Sequence, residues 1–365
     1  MSKQPFLIAM TFMSIIIGGG FASGQEVLQF FTGYGAIGIA GTLVSGLLFA
    51  FLGMQIARMS STMQASSHKE VLEALFGKRA GLVIDLVLSF FLFGVGVVML
   101  AGSGSIFAQQ YGLPPLFGGV LLSVLVILTL CLRVRGIINL ISLIMPVLLL
   151  LVLTITVYSF FTSSASLETL EAAAAEVPTI SDGWSFSHWF IGALLYASFN
   201  IAVGFPMLSV IGGLTRDTRE ASLGGILGGV GLGVLIFLLN IGLFANLERL
   251  AGVDMPSLML ATAVSPVVAM VMSVALICMI YSTAVGMFFA FSARFAAPES
   301  GRFKLFSVIF TLVGLVLSQF GFSTLIGTVY PMLGVVGLIL IVALGIRWYS
   351  TRQRSKAQLA SSASR

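Results

Sequence analysis

The chain reads Ile15-Ile16-Ile17-Gly18-Gly19-Gly20-Phe21-Ala22-Ser23-Gly24-Gln25-Glu26 at the stretch that decides its fold. The stretch lies in an apolar run over residues 5–32, and about 20 mostly apolar residues are enough to cross a bilayer as a helix. Each glycine weakens a helix by about 1 kcal/mol relative to alanine, and a tripled glycine exceeds what close helix packing requires. Because irregular backbone at membrane depth must be buried or line a cavity, the stretch predicts a membrane helix with a functional break.

The composition agrees with a membrane protein. Of the 365 residues, 58% are hydrophobic and 8% are charged, whereas a soluble domain carries roughly 25% charged residues. So few charges cannot cover a water-exposed surface, which excludes a soluble protein and nucleic-acid binding as a main role. Cys131 and Cys278 lie in separate apolar runs, which favours buried free thiols over a disulfide or a metal site.

Ten segments are long and apolar enough to be membrane helices, and their residues do not alternate as the strands of a barrel would. The predicted spans are 5–32, 35–57, 80–110, 116–132, 137–162, 188–213, 221–246, 266–293, 303–320 and 323–347.

The basic residues support this count, because the connections between spans fall alternately on two sides of the membrane. With the N-terminus inside, 17 of the 18 lysines and arginines lie on the cytoplasmic side, and Arg249 is the exception. An excess of Lys and Arg marks cytoplasmic loops. We therefore predict a multi-pass protein of the cell membrane with both termini in the cytoplasm. The net charge of +5 is then a topology signal.

The spans divide into two sets of five, which predicts an inverted repeat. An odd number of spans in each half makes the second half enter the membrane from the opposite side. The predicted units are a first repeat over 1–162, an extracellular loop over 163–187, a second repeat over 188–347 and a cytoplasmic tail over 348–365. The polar end of the tail, from Gln353, is expected to be disordered.

The first span of the second half also contains residues that weaken a helix. It reads Tyr196-Ala197-Ser198-Phe199-Asn200-Ile201-Ala202-Val203-Gly204-Phe205-Pro206 near its midpoint. A proline inside a helix removes a backbone donor and clashes with the preceding turn. Paired interrupted helices are the best sequence pointer to a transporter binding site. The predicted fold is therefore an all-α polytopic membrane protein with ten transmembrane helices, arranged as a 5+5 inverted repeat in which helices 1 and 6 are broken.

An alternative is open at the N-terminus, where Lys3, an apolar run to Ile17 and the small residues Ala22-Ser23-Gly24 mimic a secretory signal peptide. The apolar run continues through Val27–Phe31, which favours a retained span.

The stretch Gly18–Glu26 resembles the opening motif of the YkvI-like membrane proteins. That group is classed with the amino-acid permeases of the amino acid–polyamine–organocation superfamily. The resemblance covers the whole chain in topology, but its sharp motif is confined to the first span, with weaker matches in spans six and eight. It implies the leucine-transporter fold and a class of function, but not a substrate.

In that superfamily the two broken helices bind the substrate between them. Free N–H groups at a half-helix N-terminus attract a carboxylate, and free carbonyls attract an ammonium group or a cation. Ser23 and Asn200 are the strongest candidates for side-chain hydrogen bonds. The substrate-binding residues that the resemblance implies are Gly18, Gly19, Gly20, Phe21, Ala22, Ser23, Phe199, Asn200, Ile201, Ala202 and Gly204.

The resemblance also implies a sodium site, because the adjacent Ser282 and Thr283 of span eight are similar to a hydroxyl pair of sodium-coupled members. The other ligands would be backbone carbonyls near Ser14, Ile17 and Met279. Hydroxyl groups in membrane helices also cap carbonyls of their own helix, so that alternative stays open. Span five lacks the lysine that some proton-coupled relatives place there, which favours sodium. No cofactor is expected beyond Na⁺ as a coupling ion.

Two carboxylates, Glu26 and Asp85, lie within the predicted spans, and an acid at membrane depth is a functional candidate by default. Glu26 is a candidate for gating, for binding a substrate amine or for carrying a proton. Asp85 lies six residues past Arg79 and is a candidate for a structural or inner-gate ion pair.

The predicted function is secondary transport of a small zwitterion, most simply an amino acid, coupled to sodium by alternating access. The substrate rests on the resemblance, and another small solute such as a nucleobase is the runner-up. The spans lack a nucleophile with a base and a cluster of metal ligands, which argues against an enzyme. A channel would need a symmetric pore or a charged ring, and a regulator would need an attached domain. The expected partners are the small solute and the lipid bilayer, without nucleic acid.

Overall fold

The computed structural model describes residues 3–132, 137–180, 188–298 and 300–363, and this part of the chain is helical without strands. The longer helices follow the predicted apolar segments, because apolar side chains can face lipid while the helix satisfies its own backbone. The helices are α1 (Gln4–Ile16), α2 (Gly19–Ser23), α3 (Gln25–Phe30), α4 (Gly38–Met63), α5 (His68–Tyr111), α6 (Pro115–Leu132), α7 (Ile137–Thr162), α8 (Leu167–Ala174), α9 (Trp189–Leu214), α10 (Thr218–Phe244), α11 (Pro256–Val264), α12 (Pro266–Ser292), α13 (Gly301–Leu317) and α14 (Phe322–Ala363).

Each predicted span coincides with one of these helices or, for the first span, with the series α1, α2 and α3. In the described residues, seven helices are long and apolar enough to cross a membrane, and three shorter apolar helices cover Gln4–Ile16, Pro115–Cys131 and Leu149–Thr162. A multi-pass membrane protein follows, while the count of ten spans and the inverted repeat stay predictions. The prediction of a disordered tail is wrong for the residues up to Ala363, because α14 continues to that residue. Its last turns contain the helix-favouring residues Arg, Gln, Lys, Ala and Leu.

Hydrogen bonds gather the connections between helices at two ends of the molecule. At one end, which we call the Arg294 end, Ser61 Oγ donates to the Thr215 carbonyl over 2.6 Å. Arg294 reaches Asp85 at the same end. At the other end, the Asp254 end, Asp254 accepts hydrogen bonds from Ser105 and Ser323. The sequence predicts that the Arg294 end is cytoplasmic.

A break in the sixth span is not found, and that prediction is wrong for this structure. Helix α9 runs without interruption from Trp189 to Leu214 with Pro206 inside it. A single proline is tolerated in a membrane helix when neighbouring groups satisfy the freed backbone. Gly204 has room as well, since a Cβ at this position would lie 3.6 Å from Ile16, an ordinary contact.

The glycines of α10 serve close packing, as their spacing indicates. A Cβ on Gly233 would lie 2.7 Å from the Gly46 Cα, and a Cβ on Gly46 would lie 2.9 Å from the Gly233 Cα. The two backbones of α4 and α10 therefore approach each other at a distance that only glycine permits.

Asp85 forms a buried ion pair, but its partner is Arg294 rather than the sequence neighbour Arg79. Nη1 and Nη2 of Arg294 donate to the two oxygens of the carboxylate over 2.5 Å each, and His68 Nε2 lies 3.0 Å from Oδ1. The pair joins the first part of α5 to the end of α12. Since α5 and α12 also pack against each other, the pair ties two neighbouring helices, and the inner gate stays a prediction.

Replacing Asp85 with asparagine should lower the free energy of unfolding by about 3 kcal/mol, the low end for breaking a buried ion pair. The Arg294 side chain is 25% exposed, so water compensates part of the lost partner. Thermal unfolding in detergent measures the change. The exposed Glu73→Gln is the matched control and should leave the transition in place. Equal transitions for Asp85→Asn and the unmodified protein would contradict the structural role.

Candidate functional site

The predicted break in the first span is present and is made by two separate changes of backbone direction. Helix α1 ends at Ile16, and Gly18 is extended with φ −104° and ψ −170°. Helix α2 then holds five residues, and Gly24 takes the left-handed conformation with φ 83° before α3 begins. L-residues rarely adopt that conformation, so glycine is required at position 24.

The break leaves backbone groups available for a ligand. The last carbonyls of a helix and its first N–H groups have no partner within the helix. At this point in the chain the carbonyls belong to residues around Ser14–Ile17, of which Ile16 already accepts from the Gly18 N–H over 2.8 Å. The N–H groups belong to Gly19–Phe21. Carbonyls and N–H groups therefore approach the same interruption from opposite sides, as a site for a zwitterion or a cation requires.

Two other helices form the walls of the break. A Cβ on Gly18 would lie 3.5 Å from Thr283 Oγ1, and a Cβ on Gly19 would lie 2.5 Å from Ile280 Cγ1, both on α12. On α9, Gly204 lies beside Ile16 of α1. The predicted neighbours of the first span, spans six and eight, are therefore its neighbours in the structure.

The predicted sodium ligands are brought together only in part. Thr283 faces Gly18, whereas Ser282 Oγ donates to the Met279 carbonyl of its own helix over 2.8 Å. Ile17 and Met279 are buried, but the Ser14 side chain is exposed, so Ser14 could offer its carbonyl. The sodium site stays a prediction.

The substrate candidates with polar side chains bond to the backbone nearby. Ser23 Oγ donates to the Gly20 carbonyl over 2.6 Å, and Asn200 Nδ2 donates to the Tyr196 carbonyl over 3.1 Å. A ligand would have to replace these bonds. The remaining candidates are buried apolar residues: Phe21, Ala22, Phe199, Ile201 and Ala202.

Glu26 is buried on the side of the break that faces the Asp254 end. Its side chain folds back onto α2, where its carboxylate occupies the space that a Cβ on Gly20 would need. The Tyr330 hydroxyl of α14 hydrogen-bonds the carboxyl group. Oε2 has no hydrogen-bond partner in the described part of the chain, and no ion pair there includes Glu26. A buried carboxylate without a cation is costly, so this arrangement suits a neutral, protonated Glu26.

An aromatic cluster surrounds this carboxyl group. The Phe199 and Tyr330 rings lie 4.8 Å apart between their centroids, and Phe30 lies 5.4 Å from both Tyr196 and Phe199. All four are buried, and the Tyr196 hydroxyl has no hydrogen-bond partner among the described residues. The cluster excludes water from Glu26 on the α9 and α14 sides.

A network of hydrogen bonds around Asp254, in the loop before α11, closes the break at the Asp254 end. Ser105 Oγ of α5 and Ser323 Oγ of α14 donate to the two Asp254 oxygens over 2.7 and 2.6 Å. Gln25 Nε2 of α3 donates in turn to Ser323 Oγ over 2.7 Å. The network ties the first span to α5, α14 and the loop, and the residues from Phe21 to Phe31 beneath it are buried.

Tyr330 and Asp254 are not among the residues predicted from the sequence. Asp254 lies in a predicted loop, where an acid is ordinary, and it enters the site only because the loop folds inward. Tyr330 precedes Pro331 within an apolar run, and a polar aromatic residue at that depth was the available signal.

Two curated relatives span almost the whole chain. The "Uncharacterized membrane protein YkvI" of Bacillus subtilis (strain 168) is 26% identical over 343 residues, which covers 92% of this chain and 94% of that protein. The "Uncharacterized protein YyaD" of the same strain is 26% identical over 330 residues, covering 90% and 92%. No family model matches the chain.

Solved structures show the fold. MhsT in complex with L-phenylalanine aligns with a TM-score of 0.61 at 17% identity, over 92% of this chain and 88% of that one. The manganese transporter of Eremococcus coleocola gives 0.60 at 14% identity, over 93% and 78%. A Na⁺-coupled sialic acid symporter gives 0.54 at 18% identity, over 87% and 72%.

These three proteins share the fold of this chain at 14–18% identity. MhsT is in complex with L-phenylalanine, and the other two are a manganese transporter and a sialic acid symporter, so the fold alone does not select a substrate. The resemblance carried by Gly18–Glu26 is confirmed: the chain is similar over 92% of its length to the uncharacterized membrane protein YkvI, and it shares the leucine-transporter fold with these transporters.

Proposed function

We propose that this protein is a secondary transporter that carries a small zwitterionic solute, most simply an amino acid, by alternating access at the break between α1 and α2. The observation that carries the proposal is the extended Gly18, which leaves helix-terminal carbonyls and N–H groups facing one interruption. Opposite ends of two helix dipoles suit the ammonium and carboxylate groups of one solute. MhsT, which shares the fold, is in complex with L-phenylalanine.

The same site supports sodium as the coupling ion. Thr283 contributes a hydroxyl beside Gly18, and the free carbonyls of α1 add hard oxygen ligands of the kind that small cations prefer. The symporter that shares the fold is Na⁺-coupled. Against this, Ser282 already bonds to Met279.

A proton is the second candidate for the coupling ion, and Glu26 is the observation that favours it. Its carboxyl group is buried at the break, has a hydroxyl donor in Tyr330 and has no cationic partner in the described part of the chain. Such a group can take up a proton on one side and release it on the other when the site changes its access.

Uptake into liposomes tests the proposal. The purified protein should accumulate at least one labelled amino acid from a panel when a sodium or proton gradient is imposed. The panel also contains nucleobases, sialic acid and Mn²⁺. Accumulation of a nucleobase, of sialic acid or of Mn²⁺ alone would overturn the proposal of a zwitterionic solute. The absence of gradient-driven uptake of any solute would overturn secondary transport.

Replacing Thr283 with alanine should reduce sodium-stimulated uptake by at least tenfold, because it removes the hydroxyl that faces the break. Ser282→Ala should have a smaller effect, since that hydroxyl is used within its own helix. The comparison is made at saturating and limiting sodium. Unchanged sodium dependence in Thr283→Ala, or uptake that never depends on sodium, would reject the sodium site.

A further inference from the structure

A groove on the outside of the helix bundle contains none of the residues of the proposed transport site. It has a volume of about 820 Å³, within the range of small-molecule sites. Its two walls are α14 and the first turns of α5, His68–Phe76, which we call the surface segment. The lining residues are Ala74, Leu75, Phe76, Leu338, Ile339, Val342, Ala343, Ile346, Arg347 and Ser350.

The surface segment is set apart from the membrane-crossing part of α5 by Gly77. This glycine has φ 78° and ψ 168°, a conformation outside the helix that turns the chain sharply. The surface segment therefore does not continue the axis of α5, and it closes one side of the groove.

The groove is apolar along its length and basic at one end. Ile339, Val342 and Ile346 form a stripe on α14 and are 48%, 59% and 64% exposed. At the end of the stripe, Arg347 Nη1 donates to the Ala74 carbonyl over 2.8 Å, which fixes the guanidinium between the two walls. Lys78 and Arg79 follow the surface segment and are exposed.

The depth of this end matches a headgroup region. Ser323 lies at the Asp254 end, and Arg347 is 24 residues further along α14, which corresponds to about 36 Å of helix. The hydrocarbon core is about 30 Å thick, so Arg347 reaches the opposite interface while the stripe stays among the acyl chains. That interface is the one where the sequence concentrates its basic residues.

We propose that this groove binds an anionic phospholipid, with the phosphate at Arg347 and an acyl chain along Ile339, Val342 and Ile346. Charge complementarity selects the headgroup, because basic residues beside the ends of membrane helices attract anionic lipids. The exposed apolar stripe selects a chain rather than a soluble anion. The site is independent of the transported solute.

Native mass spectrometry of the full-length protein in detergent tests the site, with phosphatidylglycerol and phosphatidylcholine of identical acyl chains. We expect at least fivefold more bound phosphatidylglycerol than phosphatidylcholine. Arg347→Gln should reduce this preference about fivefold. Ala343→Trp should lower phosphatidylglycerol binding by filling the groove while leaving Arg347 in place. Arg58→Gln, an exposed arginine outside the groove lining, is the matched control and should change neither.

Equal binding of the two lipids would overturn the proposal, as would unchanged phosphatidylglycerol binding in Ala343→Trp. A dimer that disappears in Ala343→Trp would show that a second copy of the chain covers the groove instead. Because Ala343→Trp retains Arg347, a folding defect in Arg347→Gln does not decide the outcome.

Discussion

Replacing Glu26 with glutamine is expected to remove the pH dependence of solute uptake while solute exchange continues. The buried carboxyl group has no cationic partner in the described residues, so closure around it at the Asp254 end requires the neutral form. The amide is neutral at every pH and has nearly the same shape. The unmodified protein should therefore lose uptake as the pH rises and Glu26 becomes charged, whereas Glu26→Gln should transport equally across the range.

The titratable groups that face Glu26 are Tyr330 on α14 and Tyr196 on α9. Among the residues that the structure describes, Asp254 is linked through Ser323 to Gln25, the residue before Glu26. Tyr330→Phe keeps the ring against Phe199 but removes the hydroxyl donor, so it should shift the pH midpoint of uptake without abolishing the dependence.

An imposed pH gradient distinguishes a proton that only permits transport from a proton that drives accumulation of the solute. If one proton moves with each solute, a one-unit pH gradient drives at most about tenfold accumulation. Glu26→Gln should then show no accumulation under that gradient but normal exchange. Accumulation that persists in Glu26→Gln under the pH gradient would contradict the coupling role, and an unchanged pH profile would contradict both roles. The sodium dependence of Thr283→Ala decides the other ion independently.

The break in the first span could be predicted from the sequence because it depends on the conformational preferences of neighbouring residues in the chain. Three consecutive glycines and a fourth at position 24 cannot form a regular helix at low cost, and Gly18 and Gly24 are the residues where the backbone changes direction. Glu26 was found for a similar reason, since a charge within an apolar run is unusual in itself.

The rest of the site depends on tertiary contacts that local patterns do not contain. Pro206 predicted a second break, but α9 packs against α1, α4 and α14 and remains helical through the proline. Asp85 was placed near Arg79 by sequence distance, while folding brings Arg294, 209 positions away, to the carboxylate. Asp254 and Tyr330 reach Glu26 and its neighbours from other elements for the same reason.

Replacing Gly24 with alanine should reduce uptake by more than tenfold, because two costs add at one position. Gly24 has φ 83°, where a side chain costs about 1–2 kcal/mol. The added Cβ would also lie 2.8 Å from Ser257 Oγ and 3.2 Å from the Ser257 backbone nitrogen. Backbone atoms cannot yield as a flexible side chain can, so the start of α11 should fail to close on the break.

Gly252→Ala separates the cost of backbone strain from the cost of the steric clash. Gly252 lies in the loop before α11 with φ 72°, and no described atom lies within 4 Å of its added Cβ. This variant therefore carries the backbone strain alone. It should retain most of the uptake at slightly lower thermal stability. Adding Ser257→Gly to Gly24→Ala removes the nearest side-chain atom and should restore part of the transport. Equal losses in Gly24→Ala and Gly252→Ala, with no recovery in the double variant, would mean that strain rather than closure of the break limits transport.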